Sequence, residues 1–157
     1  MNNFTDEQFY AWLAGFIDGE GCIYIAKTKN EKVSWGFSYT LRLEITQANK
    51  PVLEKIKNRI GFGSNVWNKS ILKNRKPNTW SEVYALKFSS NQAYEIIKNI
   101  YPYLVIKKKQ ASLAIEFQEL VRGNYGRKKN RVVDYFERQV KYRDNLKLAK
   151  QLIYQAP

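Results

Sequence analysis

One acidic side chain is set apart by its surroundings. Glu20 closes the run Leu13-Ala14-Gly15-Phe16-Ile17-Asp18-Gly19-Glu20-Gly21 and is followed by glycine. The run is apolar enough to be buried. Ala11, Gly15 and Gly19 fall four residues apart, which places them on one face of a helix. Each glycine inside a helix costs about 1 kcal/mol against alanine. Close approach of another helix along that face is what small residues permit in return. An acid at the tip of such a helix can hold a cation. A solvated acid on a loop is the plainer alternative, and the burial of the run and the charge around it weigh against that.

That charge is large. The 157 residues carry 27 Lys and Arg against 14 Asp and Glu, a net charge of +13. Residues 1–50 hold 5 basic and 6 acidic side chains, so most of the excess lies beyond residue 50. An excess of this size points to a polyanionic partner, nucleic acid before other acidic partners. There is no His and a single Cys, Cys22. This excludes His-based nucleases, His-dependent triads, His- or Cys-ligated zinc and an internal disulfide. A bound metal must take oxygen ligands, which favours Mg²⁺ or a similar hard cation. No apolar run approaches the roughly 18–20 residues of a membrane span. No secretory signal is visible either. A soluble, intracellular protein is expected.

The elements that must position Glu20 are legible in the periodicity. Thr5 and Gln8 form a capping box, with Phe4 and Phe9 spaced as a hydrophobic staple. The helix they open runs to about Gly19. Residues 22–28 and 37–46 alternate as the two strands of a hairpin. Phe37, Tyr39, Leu41, Leu43 and Ile45 face the core; Ser38, Thr40, Arg42, Glu44 and Thr46 face outward. Pro51 starts a second helix, with Val52, Leu53, Ile56 and Ile60 as its apolar stripe and Gly61 as its stop. Residues 62–69 and 80–88 read as a second hairpin of ambiguous face parity. Ser89 and Gln92 suggest a capping box for a third helix that stops near Pro102. Two more helices follow, Lys107–Arg122 and about 131–153, the last with Val133, Phe136 and Val140 on one stripe. No linker marks off a second domain. The expected fold is α+β: one domain over residues 1–157, a helix-strand-strand-helix-strand-strand-helix core with a four-stranded antiparallel sheet, and extra C-terminal helices.

The run 13–21 resembles the motif that gives the LAGLIDADG homing endonucleases their name. Leu13, Ala14, Gly15, Ile17, Asp18 and Gly21 agree with it, and Glu20 stands where Asp is usual. The element order matches too, and the single copy of the motif resembles the homodimeric members encoded in organelle introns. The resemblance implies a metal-dependent endodeoxyribonuclease that makes double-strand breaks by phosphodiester hydrolysis at a long, near-palindromic site. Glu20 would ligate the metal, with the Gly19 carbonyl as a second ligand. Gln47 would organise pocket water and Lys107 would offset charge on the phosphate. The family's further basic residue aligns with Pro51, and neighbouring Lys50 is the candidate replacement. Ala11, Gly15 and Gly19 would line the dimer interface. The implied cofactor is Mg²⁺, or Mn²⁺, or Ca²⁺ in a non-cleaving complex.

Alternation and the resemblance together nominate base contacts with double-stranded DNA. These are Tyr24, Thr28, Asn30, Lys32, Ser38, Thr40, Arg42 and Glu44 in the first hairpin, and Asn68, Lys73, Arg75, Glu82 and Tyr84 in the second. Arg42 suits guanine and Glu44 suits the cytosine amino group. Arg127, Lys128 and Lys129 could hold phosphates. Two rivals share the fold: a maturase that binds its intron RNA, and a DNA-binding regulator without activity. Nineteen Lys against eight Arg hints at an AT-rich gene, of the kind organelle genomes carry.

Overall fold

Thr5 accepts a hydrogen bond from the Gln8 N–H at 3.2 Å, and Gln8 Oε1 accepts one from the Thr5 N–H at 3.0 Å. This capping box opens helix α1, Asp6–Glu20. In this computed structural model, residues 3–33, 35–69, 82–123 and 132–153 are described, with side chains in the last segment from 135 to 152. Helix α1 buries Phe9, Leu13, Ala14, Ile17 and Asp18, and leaves Ala11, Gly15 and Gly19 exposed. Gly21 is required where α1 turns into strand β1, Gly21–Lys29. A Cβ there would stand 2.7 Å from Ile17 Cγ2 and 2.8 Å from the Ile17 carbonyl oxygen.

Strand β1 pairs antiparallel with β2, Phe37–Gln47, from Gly21 opposite Ile45 to Lys29 opposite Phe37. Ile23, Ile25, Tyr39, Leu41, Leu43 and Ile45 are buried on one face, as the alternation requires. Phe37 lies at the exposed end of that row, with Lys27 Nζ 3.8 Å from its ring centre. Asn49 caps helix α2, Lys50–Ile60, by accepting the Val52 N–H, and Gly61 ends it in the left-handed conformation at φ 83°. The second hairpin is shorter than its sequence suggests: β3 is Trp67–Asn68 and β4 is Tyr84–Ser89. The sheet order is β1-β2-β4-β3.

The ladder settles the parity of β4. Leu86 and Phe88 pair with Ile45 and Leu43 and are buried with them. Ala85 is also buried, opposite Trp67. The expected Ser89–Gln92 capping box does not form. Ser89 stays in the ladder opposite Arg42, and the Ser90 N–H donates to the Leu41 carbonyl. Ser90 therefore precedes helix α3, Asn91–Ile100, at φ 51° and without a side-chain cap. A 3₁₀ turn at Tyr101–Tyr103 leads to helix α4, Lys108–Gly123. Helix α5, Val132–Ile153, packs on α4 and on β1. Its Phe136 sits 5.6 Å from the Trp35 ring and 5.7 Å from the Tyr39 ring, while Gln139, Leu146 and Ala149 are buried. The expected stripe is thus only partly the packing face: Phe136 and Val140 are half-buried, and the Val133 side chain lies outside the described residues.

The helices cover the apolar face of the sheet. Tyr24, Thr40, Arg42, Glu44 and Thr46 project from the other face.

Candidate active site

Glu20 is the last residue of α1 and is exposed. Two residues earlier, Asp18 is buried, only 9% exposed. A buried carboxylate must find donors. Asp18 finds three consecutive backbone N–H groups: Oδ2 accepts from Val105 at 2.8 Å and Ile106 at 3.1 Å, and Oδ1 accepts from Lys107 at 2.9 Å. These close the turn that enters α4. That turn, Leu104-Val105-Ile106-Lys107, contains no Ser, Thr, Asp or Asn of its own to do so. A negative charge before a helix N-terminus is also favoured by the dipole.

The same linkage fixes Lys107. Its ammonium donates to the Asp18 carbonyl. Burial pushes the Lys107 ammonium below its ordinary value of 10.5, and the charge of Lys150 pushes the same way; Asp18, Cys22 and Glu20 oppose them. Lys107 and Glu20, 87 positions apart in the chain, are therefore electrostatic neighbours at the tip of α1. Lys150, from α5, reaches the same place and donates to Cys22 Sγ at 3.2 Å.

Gln47 ends β2, two positions past Ile45, which pairs with Gly21 at the start of β1. Its backbone therefore lies beside the end of α1. Its Oε1 accepts the Ala48 N–H at 2.7 Å. Lys50 turns elsewhere: its Nζ is 3.3 Å from Glu54 and 5.8 Å from the Tyr84 ring centre. Among the described residues no three His, Cys, Asp or Glu side chains gather in one cluster. Glu20 and the Gly19 carbonyl are one carboxylate and one backbone oxygen. That set fits Mg²⁺, which is commonly held by one or two carboxylates with phosphate and water oxygens completing the shell.

On the open sheet face the ladder places Tyr24 opposite Arg42 and Thr28 opposite Ser38. Asn30 donates to Ser38 Oγ at 2.5 Å, and its own Oδ1 accepts the Lys32 N–H at 3.0 Å. Glu44 is engaged within the chain. Lys69 Nζ lies 2.5 Å from it, Lys87 Nζ 3.7 Å, and the Tyr24 hydroxyl donates at 3.3 Å. Burial pushes the Glu44 carboxyl up, but these three partners outweigh it and hold the group below its ordinary 4.5. Burial and the Glu44 charge raise Tyr24, which keeps its hydroxyl a donor. Asn68 lies in β3. Tyr84 has the parity of Leu86 and Phe88, packs against the core and bonds Glu82, so it faces the helices and not the open side. Lys73, Arg75, Arg127, Lys128 and Lys129 lie outside the described residues.

The fold is that of homing endonucleases. The solved structure of I-CvuI, in complex with the I-CreI target in the presence of 2 mM Mg, matches 94% of this chain and 85% of its own, with a TM-score of 0.73 and 22% identity. A sequence model described as LAGLIDADG endonuclease matches residues 13–118, and the chain belongs to that family. Among curated relatives, an uncharacterized mitochondrial protein RF1 of Saccharomyces cerevisiae is 42% identical over 64 residues, 41% of this chain and 13% of that protein. DNA endonuclease I-CreI of Chlamydomonas reinhardtii is 26% identical over 121 residues, 76% of this chain and 68% of its own length. The match thus spans a small part of the yeast protein and about two-thirds of the algal one. No described helix is long and apolar enough to cross a membrane.

Sequence reasoning passed over three features. The role of Asp18 was discoverable, because a buried acid and an uncapped helix start are complementary deficits. The ion pairs of Glu44 depend on β3 and β4 lying across β2. Lys150 depends on where α5 packs. No local pattern in the sequence announces the last two.

Proposed function

We propose that this chain is a site-specific DNA endonuclease that hydrolyses one phosphodiester in each strand, as a homodimer on a near-palindromic site. The observation that carries this reading is the exposed Glu20 carboxylate at the tip of α1 beside the half-buried Lys107 ammonium.

One chain offers one such acid, and a double-strand break needs two hydrolyses. A face suited to self-association adjoins it. Among the described residues, no atom outside the local helix backbone and the adjoining residues lies within 4 Å of a Cβ built at Gly15 or Gly19. Val105 and Ile106, tied to α1 through Asp18, are 83% and 52% exposed. A twofold axis through this face brings two α1 helices together and both Glu20 side chains to the centre of the site.

Glu20 and the Gly19 carbonyl would hold Mg²⁺ at each tip. A bound divalent cation lowers the pKa of water and polarises the phosphate. Lys107 sits where charge grows on the phosphoryl oxygens and stabilises it from a partly desolvated position. Gln47, whose Oε1 accepts the Ala48 N–H, would turn its amide N–H groups toward water in the pocket. Tyr24, Thr40 and Arg42 supply donors and acceptors on the open sheet face for groove contacts. Glu44 acts there as a positioner of Lys69 and Lys87, since their charges already neutralise it. The mitochondrial relative suggests synthesis or action in an organelle.

The test is cleavage of a randomised duplex library with Mg²⁺, followed by sequencing of cut ends. A near-palindromic consensus is expected. Glu20→Gln is expected to bind the recovered site and leave it uncut; cleavage by that variant at near the wild-type rate refutes the role of Glu20. Binding of folded RNA without any DNA cutting would favour the maturase reading.

A further inference from the structure

Lys150 has an address that packing alone does not require. Helix α5 lies along β1, the edge strand of the sheet. Its Phe136 touches Trp35 and Tyr39 at the hairpin end, and its Lys150 touches Cys22 at the α1 end. From Phe136 to Lys150 a helix rises about 21 Å. From Cys22 to Thr28 a strand rises about 20 Å. The helix therefore measures out the strand and delivers one ammonium to the start of β1. Cys22 is opposite Glu44 in the ladder, so its side chain emerges on the open face of the sheet.

The partner found there is poor. A thiol sulfur is a weak acceptor. Among the described residues Lys150 makes no ion pair and no other hydrogen bond. Glu44, across from Cys22, is already taken by Lys69 and Lys87. Lys107 lies close enough for the two like charges to repel. Glu20 attracts Lys107 but forms no ion pair with either lysine among the described residues. Of the two carboxylates that act on Lys107, Asp18 is committed to the backbone N–H groups of residues 105–107 and Glu20 is exposed and forms no ion pair among the described residues, so Lys150 keeps a charge that no contact among those residues neutralises.

We infer that Lys150 is a phosphate-binding residue of the cleavage pocket: α5 brings its ammonium to Cys22, two residues past Glu20, to grip a DNA phosphate at the scissile position or immediately next to it. This rests on the endonuclease reading above and extends it to the C-terminal helix, which carries no part of the LAGLIDADG match. The bland alternative is a lysine that packs its stem against β1 and sends its head to water. That alternative predicts no dependence of DNA binding on its charge.

The experiment compares wild type, Lys150→Met, Lys150→Gln and Lys150→Arg on the duplex recovered from the library. The first readout is equilibrium binding in Ca²⁺ across a range of salt concentrations. Each phosphate contact contributes about 0.9 to the log–log slope, so loss of one contact per protomer lowers the slope for a dimer by about 1.8. Met and Gln should both show that loss, and Arg should restore the wild-type slope. The second readout is single-turnover cleavage in Mg²⁺, expected to fall about tenfold to a hundredfold in Met and Gln, as loss of a charge donor at a reacting phosphate does. An unchanged slope with unchanged cleavage in Met and Gln, both folded by circular dichroism, overturns the inference. Glu20→Gln, read in parallel, keeps the two readings apart. If it cuts, the assignment of Glu20 fails, and the salt slopes still decide Lys150.

Discussion

Replacing Asp18 by asparagine keeps the shape of the side chain and removes its charge. The consequence follows from the hydrogen bonds it makes. Asp18 Oδ2 serves the N–H groups of Val105 and Ile106, and Oδ1 serves that of Lys107. In the Asp18→Asn variant one oxygen can still serve the first pair, but the amide nitrogen then faces the Lys107 N–H, donor against donor. A hydrogen bond to a charged group is worth about 1.5–3 kcal/mol, and a buried donor left without an acceptor costs about 1–3 kcal/mol. The two overlap, because both describe the same N–H, and the loss of charge near the α4 N-terminus adds about 0.3–1 kcal/mol. A destabilisation of about 2–4 kcal/mol is expected. In a chain of this size each kcal/mol moves Tm by about 2–4 °C, so Tm should fall by about 5–15 °C. Thermal unfolding of both proteins without DNA, followed by circular dichroism, measures it. Cleavage at a temperature where both remain folded should fall as well, because the Lys107 backbone N–H loses its acceptor and the turn that positions the side chain loosens, although the Asp18 backbone carbonyl that holds the ammonium is kept. A shift under about 1 °C, well below that scale, would show that the turn into α4 does not depend on the Asp18 charge, and the link between motif helix and pocket lysine would fail with it.

Other perturbations separate fold from assembly. The Cβ that Gly15→Leu adds meets no atom of the described residues beyond its own helix turn, so the side chain projects outward from α1. The variant should leave the secondary structure intact and shift sedimentation from dimer to monomer; an undiminished dimer would place the interface elsewhere. Gly21→Ala drives a Cβ into Ile17 and should cost about 1–3 kcal/mol by overpacking, read as a lowered midpoint in urea. Glu44→Gln concerns pH. The Glu44 pKa is lowered in the folded state, so its contribution is present above the ordinary carboxylate value and is lost as pH falls through the lowered one. The pair is partly exposed, so the contribution is roughly 0.5–1 kcal/mol. The variant should be less stable than wild type at neutral pH, and the two should converge in acid. A gap that stays constant into acid, below the lowered value, would contradict the ion pairs with Lys69 and Lys87.

Local patterns carried most of the fold. The Thr5–Gln8 capping box, the strict alternation of β2 and the Pro51 and Gly61 boundaries of α2 are short-range statements about dihedrals and hydrogen bonds, and each appears in the structure as the sequence implies. The second hairpin was less readable. Its parity is fixed only by pairing to β2, which also draws Ser89 into the ladder and away from its expected cap. Alternation alone leaves Tyr84 open to either face, and pairing to β2 puts it on the side of the helices.

Sequence by itself determined the family, the acid at the helix tip and the open row of small residues beside it, because all three reside in one contiguous run whose spacing is that of a single helix. Tertiary structure decided the electrostatics. It committed the second acid of the motif, Asp18, to a turn near residue 105, brought Lys107 from that turn to the end of α1 and Lys150 from α5 to the start of β1, and cancelled Glu44 with lysines from two other strands or their ends. Coulombic neighbours are set by distance in space, and a chain that folds back on itself makes such neighbours out of residues that the sequence keeps far apart.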